Sequence, residues 1–382
     1  MRKKLIFSFF VIVMLILTSC GTSPTQLPIA SPTVNTPTLP THTSTPSQTE
    51  APTVTITPSQ TELPTATITN IPPTSTASRP SLPDISNQIY LDDRSTPAAL
   101  MLSYFNAVNR HEYLRAYSYY VGNTASLGTL EQFSSGYQDT QSVSVVLGNI
   151  SSSGAAGSIY FTVPMVLNAI TTGGAQQKYS ACYILRWPQP AIYGAPPITP
   201  MHLDHGTAQS IPLTTSDADA LASACTPPAD LNLEPPSMED LTDLSSANYI
   251  DNRSDPEAVI RSLLNAINSQ EYVRAYSYWQ EPSFSYDSFA AGYADTASVS
   301  AIFGTARSDV GAGQLYYTLP VVLESTLTNG TKQTFSACYT LHISQPTVQG
   351  TPPFQPLGIR SATAKQVENG SDPAKLLSTA CP

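Results

Sequence analysis

Charge is scarce in this 382-residue chain: Asp, Glu, Lys and Arg make up only 12% of it. Basic residues are the scarcer sign, 17 against 27 acids, and none lies between Arg186 and Arg253. Nucleic acid and anionic lipid surfaces both need a concentrated basic face, so no nucleic-acid partner is expected. Long apolar runs are also missing. The run at residues 5–17 rises about 20 Å as a helix, short of a bilayer core of about 30 Å. Catalytic signatures are absent as well. There is no Gly-x-Ser-x-Gly, Ser-x-x-Lys, His-Glu-x-x-His or phosphate-binding loop, and no Cys-x-x-Cys. No nucleophile is legible with a base beside it, so a non-catalytic protein is favoured and no cofactor is expected. His202-Leu-Asp204-His205 is the one compact cluster of possible metal ligands. It follows a Pro-rich stretch and reads as a solvated loop, so no metal is assigned.

What is present begins at the N-terminus. Arg2, Lys3 and Lys4 precede the apolar run, and Leu17-Thr-Ser-Cys20 follows it. A charged segment, a short apolar segment and small residues describe a signal peptide, assigned to 1–19. The Leu-Thr-Ser-Cys segment resembles a bacterial lipobox. That resemblance implies cleavage before Cys20 and a lipid on its thiol, anchoring the protein to the outer face of the cell membrane in the bacterial envelope. Residues 20–85 form a Ser/Thr/Pro-rich linker. Over 21–83, Ser, Thr and Pro supply 39 of 63 positions, a composition that cannot bury enough surface to order itself.

The rest is a duplication. Residues 90–119 align without gaps on 249–278, with 17 identities in 30. EYLRAYSYY at 112–120 recurs as EYVRAYSYW at 271–279, and later matches keep an offset of 156. The assignment is a first domain at 86–226, a linker at 227–246 and a second domain at 247–382. Four cysteines remain after Cys20. Cys182 to Cys225 and Cys338 to Cys381 share a spacing of 43, and the duplication favours one disulfide per copy.

Each copy reads as helices first and strands second, an α+β pattern. Thr96-Pro97 and Asp255-Pro256 are helix starts. The recurring phrase begins a second helix, with Tyr113, Ala116, Tyr117 and Tyr120 on one stripe and Tyr272, Ala275, Tyr276 and Trp279 on its twin. Arg274 falls off that stripe, so Arg274→Ala is expected to change stability little. Val-, Thr- and Tyr-rich strands follow, with Asn329-Gly330 as a hairpin turn.

Helices followed by an antiparallel sheet, with Asn268, Glu271, Tyr272, Ala275 and Tyr276 (and Asn109, Glu112, Tyr113, Ala116 and Tyr117) between the first two helices, resemble the NTF2-like (SnoaL-like, cystatin-like α+β) superfamily. The resemblance implies N-terminal helices packed on a curved sheet around a hollow. Tyr117, Asp139, Tyr276, Trp279 and Asp295 are the candidate hollow-lining residues. The favoured reading is a surface-exposed, lipid-anchored binding or accessory module that takes a small molecule, glycan or envelope protein. The alternatives are a lyase or isomerase using an Asp/Tyr pair in the hollow, and a structural or assembly protein.

Overall fold

The computed structural model describes residues 84–121, 127–225 and 249–381. The signal peptide at 1–19, Cys20, the linker as far as 83 and the linker at 227–246 lie outside the described residues. The described chain is α+β, with two antiparallel sheets, each preceded by helices.

Copy one runs α1 (Pro97–Asn109), α2 (Tyr113–Ser118), α3 (Leu130–Ser135), β1 (Thr140–Leu147), β2 (Ser151–Ala155), β3 (Ser158–Thr171), β4 (Gln176–Pro188), β5 (His202–Ile211) and α4 (Asp217–Ala224). Copy two repeats it as α5 (Pro256–Asn268), α6 (Tyr272–Tyr276), α7 (Tyr286–Gly292), β6 (Thr296–Phe303), β7 (Arg307–Gly311), β8 (Gln314–Leu327), β9 (Lys332–Ser344), β10 (Gly358–Val367) and α8 (Pro373–Ala380). The first helices start where a side chain caps them: Thr96 accepts from the Ala99 amide at 3.1 Å, and Asp255 from the Ala258 amide at 2.8 Å. Both end on a non-glycine residue in the left-handed region, His111 (φ 56°) or Gln270 (φ 58°). That reversal turns the chain straight into the next helix.

The sheets have strand order β1-β3-β4-β5 and β6-β8-β9-β10, with β2 and β7 beside β3 and β8. Pro164 sits between the β3 stretch that pairs with β1 and the stretch that pairs with β2, so its missing N–H interrupts no ladder on that edge. The strands β5 and β10 correct the sequence reading. His202, Asp204 and His205 belong to a strand, not a loop, with His202 buried and its Nδ1–H donating to the Pro200 carbonyl at 2.9 Å. The exposed half of β5 is uncharged Gly, Thr, Ala, Gln and Ser, which carries no inward apolar alternation to announce a strand.

One core cluster per copy lies between the helices and the sheet. In copy one, Tyr104, Phe105 and Tyr183 interlock edge-on or tilted, and the Tyr104 and Tyr137 hydroxyls meet at 2.7 Å. Tyr183 faces this core, so alternation along β4 sends Cys182 to the opposite face. There the disulfide to Cys225 ties down α4, and Cys338–Cys381 does the same for α8. The Asn of the shared motif also has a structural task. Asn109 clamps the end of α1 to β1, donating to the Val143 carbonyl at 2.9 Å and accepting from its amide at 2.7 Å; Asn268 repeats this at Val299.

Candidate functional site

The segments before the first helices, residues 90–95 and 249–254, cross antiparallel at Asp93 and Asn252. Their hydrogen bonds are reciprocal. The Arg94 amide donates to the Asp251 carbonyl at 2.7 Å, and the Arg253 amide to the Asp92 carbonyl at 2.6 Å. The Asp92 amide donates to Ser254 Oγ at 2.8 Å, and the Asp251 amide to Ser95 Oγ at 2.9 Å. Equivalent residues exchange equivalent bonds, so the copies are related by a pseudo-twofold axis through Asp93 and Asn252. On that axis the residues differ: Asn252 Nδ2 donates to the Asp93 carboxylate at 3.0 Å.

The recurring aromatic phrase frames this junction. Glu112, the residue before α2, and Arg115 within it form a buried ion pair, and Arg115 donates onward to the Leu91 carbonyl and to Asn106. Glu271 and Arg274 repeat the pair, and Arg274 donates to Ile250 and Asn265. Arg115 and Arg274 lie over the rings of Tyr90 and Tyr249, each with 4.5 Å to the centroid. The expectation that Arg274 is a peripheral residue is therefore corrected: it is 2% exposed. Tyr119 and Tyr278, which the stripe also omits, are fully buried and donate to Asp92 at 2.8 Å and Asp251 at 3.0 Å. Burial first, and the neighbouring carboxylate second, push both phenols well up, so they remain proton donors. The short second helix is thus buried on two sides, one against its own sheet and one against the junction. Leu114 belongs to the core cluster of copy two, and Tyr249 packs at a tilt on Trp187 of copy one, 4.6 Å between centroids.

The candidate residues separate. Asp139 and Asp295 are exposed; their carbonyls accept from the Thr172 amide at 3.0 Å and the Thr328 amide at 2.8 Å, which joins the end of the helical part to the hairpin. Tyr276 packs edge-on against Phe284, Tyr286 and Phe289 and donates to the Phe284 carbonyl. Tyr117 and Trp279 line clefts at the junction instead. Aromatic and aliphatic side chains form the buried clusters of both copies. Among the described residues no group of three His, Cys, Asp or Glu is placed to hold a metal.

Two clefts flank the pseudo-axis, and they occupy equivalent positions. One, about 540 Å³, opens against Tyr117, Tyr120 and Val121 of copy one and is closed by Pro352, Pro353 and Phe354. It is predominantly apolar. The other, about 640 Å³, opens against Trp279, Gln280 and Glu281 of copy two, with His342, Gln355 and Arg360 around it. Both share Asp251, Arg253, Ile198, Pro200 and Pro356. In the polar cleft, Gln280 donates to the carbonyls of His342 and Pro356 and meets His342 Nδ1 at 3.1 Å. It braces the wall and the loop opposite. Burial, and then Arg360, lower the His342 imidazole below its usual range.

Neither the junction nor the clefts were named from the sequence. The signal was there, however: a buried-on-two-sides helix needs aromatics off the stripe, and Tyr119 and Tyr278 are such residues. In comparisons with known proteins, no family model, no curated protein and no solved structure matches the chain.

Proposed function

We propose that the protein is a lipid-anchored binding module of the bacterial envelope, built from two NTF2-like copies, that takes its ligand at the copy junction and performs no chemistry on it. The observation that carries this reading is that two clefts, of about 540 and 640 Å³, open where the copies meet and share residues of both, whereas a smaller one of about 420 Å³ lies on copy one alone. Tyrosine, phenylalanine and aliphatic side chains form the core of each copy. The size of the junction clefts is that of small-ligand sites, about 300–1,000 Å³. The carboxylates that the sequence offers for chemistry in a hollow, Asp139 and Asp295, are exposed. The lipobox-like segment supplies the anchor and the Ser/Thr/Pro stretch the reach.

Hydrogen exchange on the full chain, with and without a soluble digest of bacterial cell envelope, tests the binding half. Slower exchange at 277–281 and 355–360 is expected. Protection confined to peptides of α1, β3 and β4, or turnover of any digest component, would overturn it. For the anchor, Cys20→Ala should move the protein from the detergent phase to the aqueous phase. An unmodified N-terminus on the wild-type mature chain, read by mass spectrometry, would end that half.

A further inference from the structure

The duplication supplies an internal control. A residue needed only to build the fold or the junction should recur in both copies, and Asp92/Asp251, Arg94/Arg253, Arg115/Arg274 and Pro200/Pro356 do. Around the polar cleft the equivalents diverge. Trp279 replaces Tyr120, Gln280 replaces Val121, Gln355 replaces Thr199, and Arg360 replaces Asp204. Gln280 braces the copy-two wall, but the copy-one scaffold stands without counterparts of Gln355 and Arg360, so the task of those two lies elsewhere.

We propose that this cleft is a binding site for an uncharged carbohydrate, a ligand class that rests on the binding-module reading above. Charge argues first. Each guanidinium that lines the cleft already has a carboxylate: Arg360 with Glu281 at 2.6 Å, Arg274 with Glu271, and Arg253 with Asp251 at 3.8 Å. A phosphate or uronate would have to displace one of these, since no unmatched cation is left for it. An apolar ligand fares no better, because it would strip water from polar side chains and return no hydrogen bond. Hydrogen-bond inventory argues second. The side-chain amide of Gln355 is exposed and makes no hydrogen bond among the described residues. Arg360 and Glu281 side by side form a neutral pair that offers both N–H donors and carboxylate acceptors. Hydroxyl groups donate and accept at once, and neighbouring hydroxyls of a sugar match such a pair. Trp279 also lines this cleft, with its indole packed edge-on against Phe284 and its Nε1 buried. A peptide is less well served, since the backbone here is already paired: the Gln280 amide donates to the Ile359 carbonyl and the Ile359 amide to the Tyr278 carbonyl, both at 2.8 Å. Gln280 is a positioning residue, holding His342 and the Pro356 loop.

Calorimetric titration of the full chain with chitotriose, maltotriose, mannotriose and xylotriose tests the assignment. Saturable binding of at least one is expected. Gln355→Thr, which installs the copy-one residue, and Arg360→Ala should each weaken it about fivefold or more, the loss of one hydrogen bond. Asp204→Ala, at the position in copy one that matches Arg360, should leave it unchanged. Binding of none of the four overturns the proposal. So does binding of only trigalacturonate or inorganic phosphate, or an affinity that Gln355→Thr does not move. If the envelope digest still protects 277–281 while no neutral sugar binds, the binding-module reading stands and the carbohydrate falls, with a wall peptide as the ligand.

Discussion

Copy one leaves its second helix through Tyr119-Tyr120-Val121, and copy two through Tyr278-Trp279-Gln280. The first tyrosine is the same in both, fully buried, and bonded to an aspartate at the junction. The next two residues differ, and they are the ones that reach the clefts. The copies therefore hold constant what joins them and vary what they present. A pseudo-twofold dimer fused in one chain permits this, because each half can change its cleft without touching the axis. The buried pairs show a second difference. Glu112 is 2% exposed and bonds both Arg110 and Arg115, whereas Glu271, 23% exposed, has Arg274 alone.

The largest expected effect breaks the shared frame. Arg115→Ala removes a fully buried guanidinium, leaves the Leu91 carbonyl and Asn106 without its donors, and leaves Glu112 with Arg110 alone. Breaking a buried pair in this way costs about 3–5 kcal/mol. Arg274→Ala should fall at the low end of that range, because the more exposed Glu271 regains water. Denaturant melts of the full chain measure both. An Arg274 variant as stable as wild type would return that residue to the periphery, where its sequence position had placed it.

That misplacement shows what was legible. Local signals were read well: the Thr96-Pro97 and Asp255-Pro256 helix starts, the hairpin at Asn329-Gly330 and the α+β order all rest on neighbours in sequence. The pairing of Cys182 with Cys225 and Cys338 with Cys381 followed from the duplication, which repeats their spacing. The junction was not legible, because it depends on which faces meet. A single helix pattern assigns Arg115 to the polar side, and nothing local reveals that another copy covers that side. Strands β5 and β10 were missed for the opposite reason. Their outer halves are exposed on both faces, so no alternation marks them.

A smaller effect sharpens the symmetry. Tyr119→Phe and Tyr278→Phe each delete one hydroxyl that donates to a buried carboxylate, Asp92 or Asp251. Hydrogen bonds to charged groups contribute about 1.5–3 kcal/mol. The two losses should agree to within about 0.5 kcal/mol if the copies are equivalent at the junction. Unequal losses, read from the same melts, would show that one copy carries more of the interface than its twin.

The smallest effect concerns the axis itself, where equivalence ends. Asp93 and Asn252 face each other there, and a carboxylate opposite an amide gains a donor that a second carboxylate would not supply. Burial, the leading cause, raises the Asp93 pKa above the ordinary carboxyl range, against the lowering by Ser95. The sign then follows. With the folded value above the unfolded one, the native state binds the proton more readily, so ionised Asp93 costs stability above its folded pKa. That cost fades as pH falls and is gone below the ordinary carboxyl range. Asp93→Asn removes the ionisable group and keeps an acceptor for the Ser95 amide, but loses the bond from Asn252 Nδ2. That loss is the same at every pH, so the variant's stability relative to wild type should be higher at neutral pH than at pH 3 by about 1 kcal/mol or less. Asn252→Asp should do the reverse, setting two carboxylates together at neutral pH and recovering in acid. Thermal melts of the wild type and both variants at pH 3 and pH 7 decide it. A difference between Asp93→Asn and wild type that is the same at both pH values would mean that the axis is open to water, and that the Asp/Asn pair does not distinguish one copy from the other.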